Sequence, residues 1–362
     1  QEMLKYIRKS LAAVLAVMML TSAFGAAVFA DEDTEAVIEA QTQSDAANTE
    51  ENTTEAADAT AAPADEDTNN ELDEVTEDIV DDTVTEEKRV SLPDIVGTKY
   101  ENAVDLLVGL GIVTGDDDGN FYPDREVTRA EATAMVLRLI GMPSADTANG
   151  ESQIYLDVPV GQWYTSYINT ATKVGFTAGD GDGYFRPEDP VTYDEYIKMI
   201  ISGIGYDEIA KSKGGYPSGY VQLANEIGVL DNETFMSGTN ITRGATAMYA
   251  YNALFTRVLT TVYGQNGALE YYMSDTNAYL IESIFNVYEV RGKVISNSFT
   301  SINETGAEND EGRITIQTED GGLYIYGTGY TNAADYLGFA VVAYVKDSSG
   351  VSDIISIGLE AD

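Results

Sequence analysis

Residues 111–131 read GIVTGDDDGNFYPDREVTRAE, and residues 175–195 read GFTAGDGDGYFRPEDPVTYDE. The two stretches align without a gap. Gly111 and Gly175, the Phe-x-Pro triplets at 121–123 and 185–187, and Thr128 and Thr192 all fall in register. Upstream, Leu92-Pro93-Asp94-Ile95 matches Tyr155-Leu156-Asp157-Val158. A third, shorter copy keeps Gly228-Val229-Leu230-Asp231 and then Thr242-Arg243-Gly244-Ala245. Self-similarity at a period of this size marks stacked units that share a core, because one unit alone buries too little apolar surface.

The physics of one unit is readable locally. Thr128 and Glu131 form a capping box, in which the hydroxyl and the carboxylate satisfy amides left open at a helix start. Ala132, Met135, Val136, Leu139 and Ile140 then follow the spacing of a helix buried on one face, and Gly141 with Pro143 stops it. The second copy repeats this with Thr192 and Glu195, then Tyr196, Met199, Ile200 and Ile204, ending at Gly205. The third keeps Thr242 as cap but has Ala245 in place of the glutamate, so half of the box is missing. A shorter helix precedes each loop, over Ala103–Leu110, Tyr167–Val174 and Tyr220–Ile227. The loops Asp116-Asp117-Asp118-Gly119 and Asp180-Gly181-Asp182-Gly183 lack the Gly and Glu of an EF-hand at its sixth and twelfth positions and read as turns, not metal sites.

Together, the early Leu-x-Asp, the Gly-rich loop with Phe-x-Pro, and the Thr-Arg-Ala-Glu helix start resemble the S-layer homology domain, which usually occurs in threes. The resemblance covers about residues 90–258. It implies a pseudo-threefold helical bundle that anchors exported proteins to secondary cell-wall polysaccharide, often pyruvylated. It also implies site residues: Arg129 and Arg243 match the motif arginine, Asp94 and Asp157 the early acid, and Trp163 the aromatic that stacks on sugar. The second copy has Tyr193 at the arginine position. An anionic sugar suits a planar, bidentate guanidinium, and an arginine just past a helix cap sits near amides and a dipole that favour anions. Other readings stay open: Arg129 as a surface partner of carboxylates, Trp163 as core, and Thr128 and Glu131 as caps alone.

Composition narrows the chemistry. The 362 residues contain 61 Asp and Glu against 20 Lys and Arg, a net charge of −41, with no Cys and no His. No His base, Cys nucleophile, Ser-His-Asp triad or His/Cys metal site is available, and the charge opposes nucleic-acid binding. The charge is uneven, since 22 of the acidic residues and no basic one lie in 31–87. Residues 1–30, with Lys5, Arg8 and Lys9 before an apolar run and a small-x-small end at Ala30, read as a signal peptide, with no membrane insertion after its cleavage. Residues 31–89 read as a disordered acidic linker, built of Asp, Glu, Thr, Ala and Asn without an aromatic. Repeats at 90–145, 150–207 and a degenerate 208–258 follow.

Residues 259–362 read as a small β-rich domain with a leading helix near Ala278–Phe285. Val287–Ile295, Arg313–Thr318, Leu323–Tyr326, Phe339–Val345 and Ile354–Ile357 are short runs rich in Val, Ile and Tyr between turn residues. They predict a small antiparallel barrel or sandwich. The expected fold class is therefore multidomain α+β. The expected function is non-enzymatic anchoring to cell-wall polysaccharide, without cofactor or metal, at the cell wall or surface layer. The β module serves display, self-assembly or contact with other surface proteins. The alternatives are a wall-anchored glycosidase using paired carboxylates and a protein-binding subunit of a larger surface assembly.

Overall fold

The computed structural model describes residues 91–142, 152–263, 269–272, 277–302, 308–348 and 350–360. The expected signal peptide, the acidic linker and the stop at Pro143 lie outside the described residues. The first two repeats each fold as helix, loop, helix: α1 (Glu101–Gly109) with α2 (Arg129–Leu139), and α3 (Thr165–Val174) with α4 (Tyr193–Gly203). A short α5 (Asp207–Ser212) leads into the third, α6 (Ser218–Glu226) with α7 (Arg243–Leu254).

Local chemistry sets the helix ends. Both capping boxes form: Thr128 and Thr192 accept from the amides of Glu131 and Glu195, and each glutamate accepts from its threonine's amide at 2.9 Å. Thr242 accepts only from Ala245, at 3.4 Å. The left-handed glycines Gly141 and Gly205 follow the ends of α2 and α4.

The expectation of helices buried on one face proves too narrow for these second helices. Eight of the eleven residues of α2 are buried, and α7 is buried from Gly244 through Ala250. The reason is mutual packing of α2, α4 and α7. Tyr196 of α4 is fully enclosed and donates its hydroxyl to the Thr246 carbonyl at 3.1 Å, with Met135 Sδ at 3.0 Å.

The three repeats also close on one another through backbone. Val127 donates its amide to Ile241 (3.2 Å), Ile241 to Val191 (2.9 Å), and Val191 to Val127 (3.0 Å). Each residue directly precedes a cap threonine, and all three are essentially inaccessible. A second tier repeats the pattern one step into each helix: Arg129 donates to Asp189, Tyr193 to Thr239 and Arg243 to Arg125, at 2.8–3.0 Å. Buried amides need such partners, and here every repeat supplies them to its neighbour.

Beyond α7, a hairpin of β1 (Thr260–Tyr263) and β2 (Leu269–Tyr272) and a helix α8 (Leu280–Phe285) precede five longer strands. These are β3 (Val287–Ser296), β4 (Arg313–Thr318), β5 (Leu323–Gly327), β6 (Ala340–Ser348) and β7 (Val351–Leu359). They pair in the order β3-β4-β5-β7-β6, and β6 returns to β3. The all-antiparallel expectation needs correction at one seam. β5 and β7 run parallel and meet at Gly327 and Asp353, because a five-strand ring cannot alternate direction all the way round. Val290, Val294, Ile314, Ile316, Tyr326 and Val341 fill the interior.

The outer face of the ring rests on the helices. Tyr344 of β6 packs at 5.8 Å from Phe255 and shares a 2.9 Å hydroxyl contact with Tyr251 of α7. Gly109 of α1 lies so close to β7 that a Cβ there would stand 2.7 Å from the Ile355 carbonyl oxygen. Val287, Val342, Tyr344 and Ile355 thereby join the helical core.

Two predictions follow from the caps and their charges. Thr192→Ala removes a hydroxyl that both accepts from Glu195 and donates to it, and is expected to cost about 1–2 kcal/mol in urea unfolding. Thr242→Ala, with half a box to lose, is expected to cost about half as much. The second concerns pH. At Glu131, burial opposes ionisation, but Arg125, the Thr128 amide and Arg243 outweigh it and hold the carboxyl below the usual range. At Asp207 burial is likewise outweighed, by Lys211, Tyr220 and Ser202; at Glu233, by Lys99, the Thr234 amide and Tyr100. A depressed carboxylate contributes stability that is whole above its unfolded-state value and drains as pH falls through the folded one. The urea midpoint should therefore be insensitive to these groups near neutrality and fall below about pH 4.5. Glu131→Gln should be less stable at neutral pH and show a shallower acid slope.

Candidate functional site: the grooves between repeats

The two loop acids have a defined structural task. Asp94 accepts from the amides of Phe121 (2.7 Å) and Tyr122 (2.6 Å), and Asp157 from those of Phe185 (2.8 Å) and Arg186 (2.7 Å). Tyr122 and Arg186 are left-handed, with φ of 58° and 61°, and each precedes a proline. A proline disfavours the right-handed helical region for its predecessor, and a left-handed side-chain-bearing residue is strained. Two charge-assisted bonds from one carboxylate hold that turn. The buried rings of Phe121 and Phe185 are thereby fixed beneath the loops.

Those rings receive the arginines. Arg129, at the first position of α2, crosses into the second repeat. Its guanidinium lies 4.9 Å from the Phe185 ring centre, Nη2 donates to the Ala178 carbonyl at 2.8 Å, and Nη1 to Glu195 at 3.2 Å. Arg243, at the first position of α7, does the same in the first repeat. It lies 4.8 Å from the Phe121 ring, with Nη2 donating to the Thr114 carbonyl at 2.6 Å, Asp116 at 3.6 Å and Glu131 at 4.0 Å. Their side chains keep 19% and 11% of their surface. Burial, aided by neighbouring Arg125, pushes the Arg243 guanidinium down, against the carboxylates of Asp116, Glu131 and Asp94. Cations so enclosed, between a ring face and carbonyls, are held rigidly in a low-dielectric groove.

Neither arginine is saturated. The Nε atoms of Arg129 and Arg243 are buried without a hydrogen-bond partner among the described residues, and so is that of Arg125. Arg125 is a site residue that the sequence reading missed. It forms a two-pronged pair with Glu131 (2.8 and 3.2 Å) beside Arg243. Its signal was a lone base in an acidic loop, six residues before the cap glutamate.

The helix N-termini do not serve as the expected anion-binding amides. The first two amides of α2 are taken by the carbonyls of Asp189 and Pro187, those of Arg243 and Gly244 by Arg125 and Pro123, and the third by the caps. Any anion must be met by guanidinium groups and loop hydrogen bonds.

Trp163 stands before α3 with 54% of its surface exposed, its ring edge-on to Tyr164 at 5.5 Å and Tyr167 at 6.3 Å. It is not core, and an exposed indole face is free to stack on a ring. Tyr216, before α6, lies in the field of Glu195, Asp194 and Arg129; burial and the two acids raise its phenol against the arginine. Thr128, Thr192 and Thr242 are occupied as caps, and Glu131 and Glu195 add ion pairs to their capping task.

The third groove is filled from within. Tyr193 is buried against Phe235 (5.9 Å) and Tyr249 (6.2 Å). Glu233 takes Lys99 at 2.7 Å and Tyr100 at 2.9 Å, and Asp194 takes the Gly238 amide at 2.6 Å. Among the described residues no cluster of three or more acids is arranged to hold a metal ion.

A family model described as the S-layer homology domain matches residues 91–133 and 157–197. A cell surface protein of Thermoanaerobacter kivui is 26% identical over 268 residues, 71% of this chain and 32% of its own. A middle cell wall protein of Brevibacillus brevis is 30% identical over 154 residues, 42% of this chain and 14% of its own. An amylopullulanase of Thermoanaerobacterium thermosulfurigenes is 30% identical over 177 residues, 44% of this chain and 9% of its own. The chain thus spans a third or less of the length of these relatives. The loops and caps of the first two repeats, with Arg129, fall within the matched segments, and α7 with Thr242 and Arg243 lies outside them. The chain carries S-layer homology domains and is an exported protein of the cell wall or cell surface.

Proposed function

We propose that the helical repeats anchor the protein non-covalently to an anionic secondary cell-wall polysaccharide, with the five-strand module carried for display or surface-layer assembly. The observation that carries this reading is the pair of equivalent arginines, Arg129 and Arg243. Each is pinned on a phenylalanine ring between two repeats and each has an unpaired buried Nε. A carboxylate presented by a pyruvyl group matches the flat fork of a guanidinium, and Trp163 supplies a ring face for the sugar. Two grooves work and the third, closed by Tyr193, Lys99 and Glu233, does not. No catalytic step is required: the polymer is held, not cleaved. The glycosidase alternative draws on the names of relatives that share the helical part, and nothing in the groove geometry favours it.

The test is retention of the full chain on purified native walls, with and without their secondary polymer. Retention should depend on the polymer. Arg129→Ala and Arg243→Ala should each weaken it about tenfold or more, and the pair together should abolish it. Equal retention on stripped walls would sink the reading. Because the chain carries −41 and the polymer is anionic, salt screens their mutual repulsion while the enclosed arginines are shielded from it. Retention should therefore hold steady or rise between low and moderate salt.

A further inference from the structure

The groove that holds Arg243 and the groove that holds Arg129 are built on one plan and differ at one position. In the first, the amide of Arg243 donates to the carbonyl of Arg125 at 2.8 Å; in the second, the amide of Arg129 donates to the carbonyl of Asp189 at 2.9 Å. Arg125 and Asp189 also fall in register when the loops are aligned on Phe121 and Phe185. Thr239 takes the same place in the third repeat, accepting from the amide of Tyr193 at 3.0 Å. One backbone position thus carries a cation, an anion and a neutral side chain in the three repeats.

The exchange alters what the cap glutamate does. In the Arg129 groove the position offers no cation to Glu195, and that carboxylate accepts from Nη1 of Arg129 at 3.2 Å. In the Arg243 groove Arg125 engages both oxygens of Glu131, at 2.8 and 3.2 Å, and the Thr128 amide adds a bond of 2.9 Å. Glu131 is thereby held 4.0 Å from Nη1 of Arg243, beyond hydrogen-bond reach. Among the described residues the Arg243 side chain donates one hydrogen bond, from Nη2 to Thr114, whereas that of Arg129 donates two. Arg243 thus keeps more of its fork for a carboxylate, which takes two donors from one guanidinium.

Charge acts in the same direction. Arginine in place of aspartate is a difference of two unit charges, at a residue bonded to the amide of the groove's own arginine. Arg243 keeps only 11% of its side-chain surface, so solvent screens that difference weakly. The Arg129 groove has another resource. Phe185, beneath Arg129, shares a buried cluster with Tyr164, and the exposed ring of Trp163 stands edge-on to Tyr164.

We infer that Arg125 is a positioning residue that sets the specificity of the Arg243 groove. By holding Glu131 it leaves the Arg243 fork open, which makes this groove the tighter, charge-selecting anion subsite and the Arg129 groove the weaker one. The inference rests on the reading that both grooves hold an anionic wall polymer; it adds that the two contacts are unequal and names the residue that makes them so.

The test is a set of binding isotherms of the full chain on purified native walls, with each groove isolated by removing the other arginine. The Arg129→Ala chain, which keeps the Arg243 groove, should bind about tenfold more tightly than the Arg243→Ala chain. Adding Arg125→Ala should cost the former about tenfold and the latter about twofold or less, whereas a merely structural loss would fall on both alike. Glu131→Gln added to the Arg129→Ala/Arg125→Ala chain should recover most of the loss, because no carboxylate remains to occupy Arg243. Asp189→Arg in the Arg243→Ala chain should tighten binding about threefold or more. Circular dichroism and the urea midpoint establish that each variant is folded. Equal affinity of the two single-groove chains, equal cost of Arg125→Ala in both, no recovery with Glu131→Gln, or no gain from Asp189→Arg would overturn the role of Arg125 and leave anchoring itself standing. Retention of the unaltered chain that does not depend on the polymer would overturn both.

Discussion

The helical part depends on one closed circuit of backbone hydrogen bonds: Val127 to Ile241, Ile241 to Val191, Val191 to Val127. The circuit joins residues more than a hundred positions apart, and none of its members can be satisfied unless all three repeats are present. Each member is followed at once by a cap threonine, so the same strand-like segment that closes the circuit also aims a helix. The next residue on each helix then crosses to the neighbouring repeat. Two of those residues are arginines, and the circuit is what sets them against phenylalanine rings in a different repeat.

The division of labour among the acids follows. The chain is strongly acidic, yet the acids near the grooves are committed to structure. Asp94 and Asp157 hold the strained turns, Glu131 and Glu195 close the caps and pair with arginines, and Asp194 and Glu233 close the third groove. The arginines thus keep donor capacity in spite of the surroundings, because their carboxylate neighbours are oriented by other bonds.

The local features were legible in the sequence because their causes are local. Thr-x-x-Glu spacing predicts a capping box wherever a helix follows, and both boxes form. The strand runs from Val287 onward were legible from alternation and turn residues, although β7 extends well beyond the Ile354–Ile357 expected. What escaped was set by partners distant in sequence. The loss of the helix-start amides to Asp189, Pro187 and Pro123 could not be seen, since nothing local marks a carbonyl arriving from another repeat. Arg125 was hidden because its role comes from Glu131 and Arg243 rather than from a motif position. The parallel β5–β7 seam escaped because strand direction is fixed by closure of the ring. The arginines themselves were singled out by family resemblance; composition alone argued only against basic patches.

The packing of Tyr344 and Ile355 into the helical core has a mechanical meaning. The strand module is not on a tether relative to the repeats it adjoins. A pull on it is passed through α1 and α7 into the first and third repeats, and through the backbone circuit into the second. Load is therefore shared across three units, and the module's angle to the helical repeats is set by the packed interface rather than by a hinge. A chain built this way holds its strand module at a constant orientation to its repeats, so that the two move as one piece.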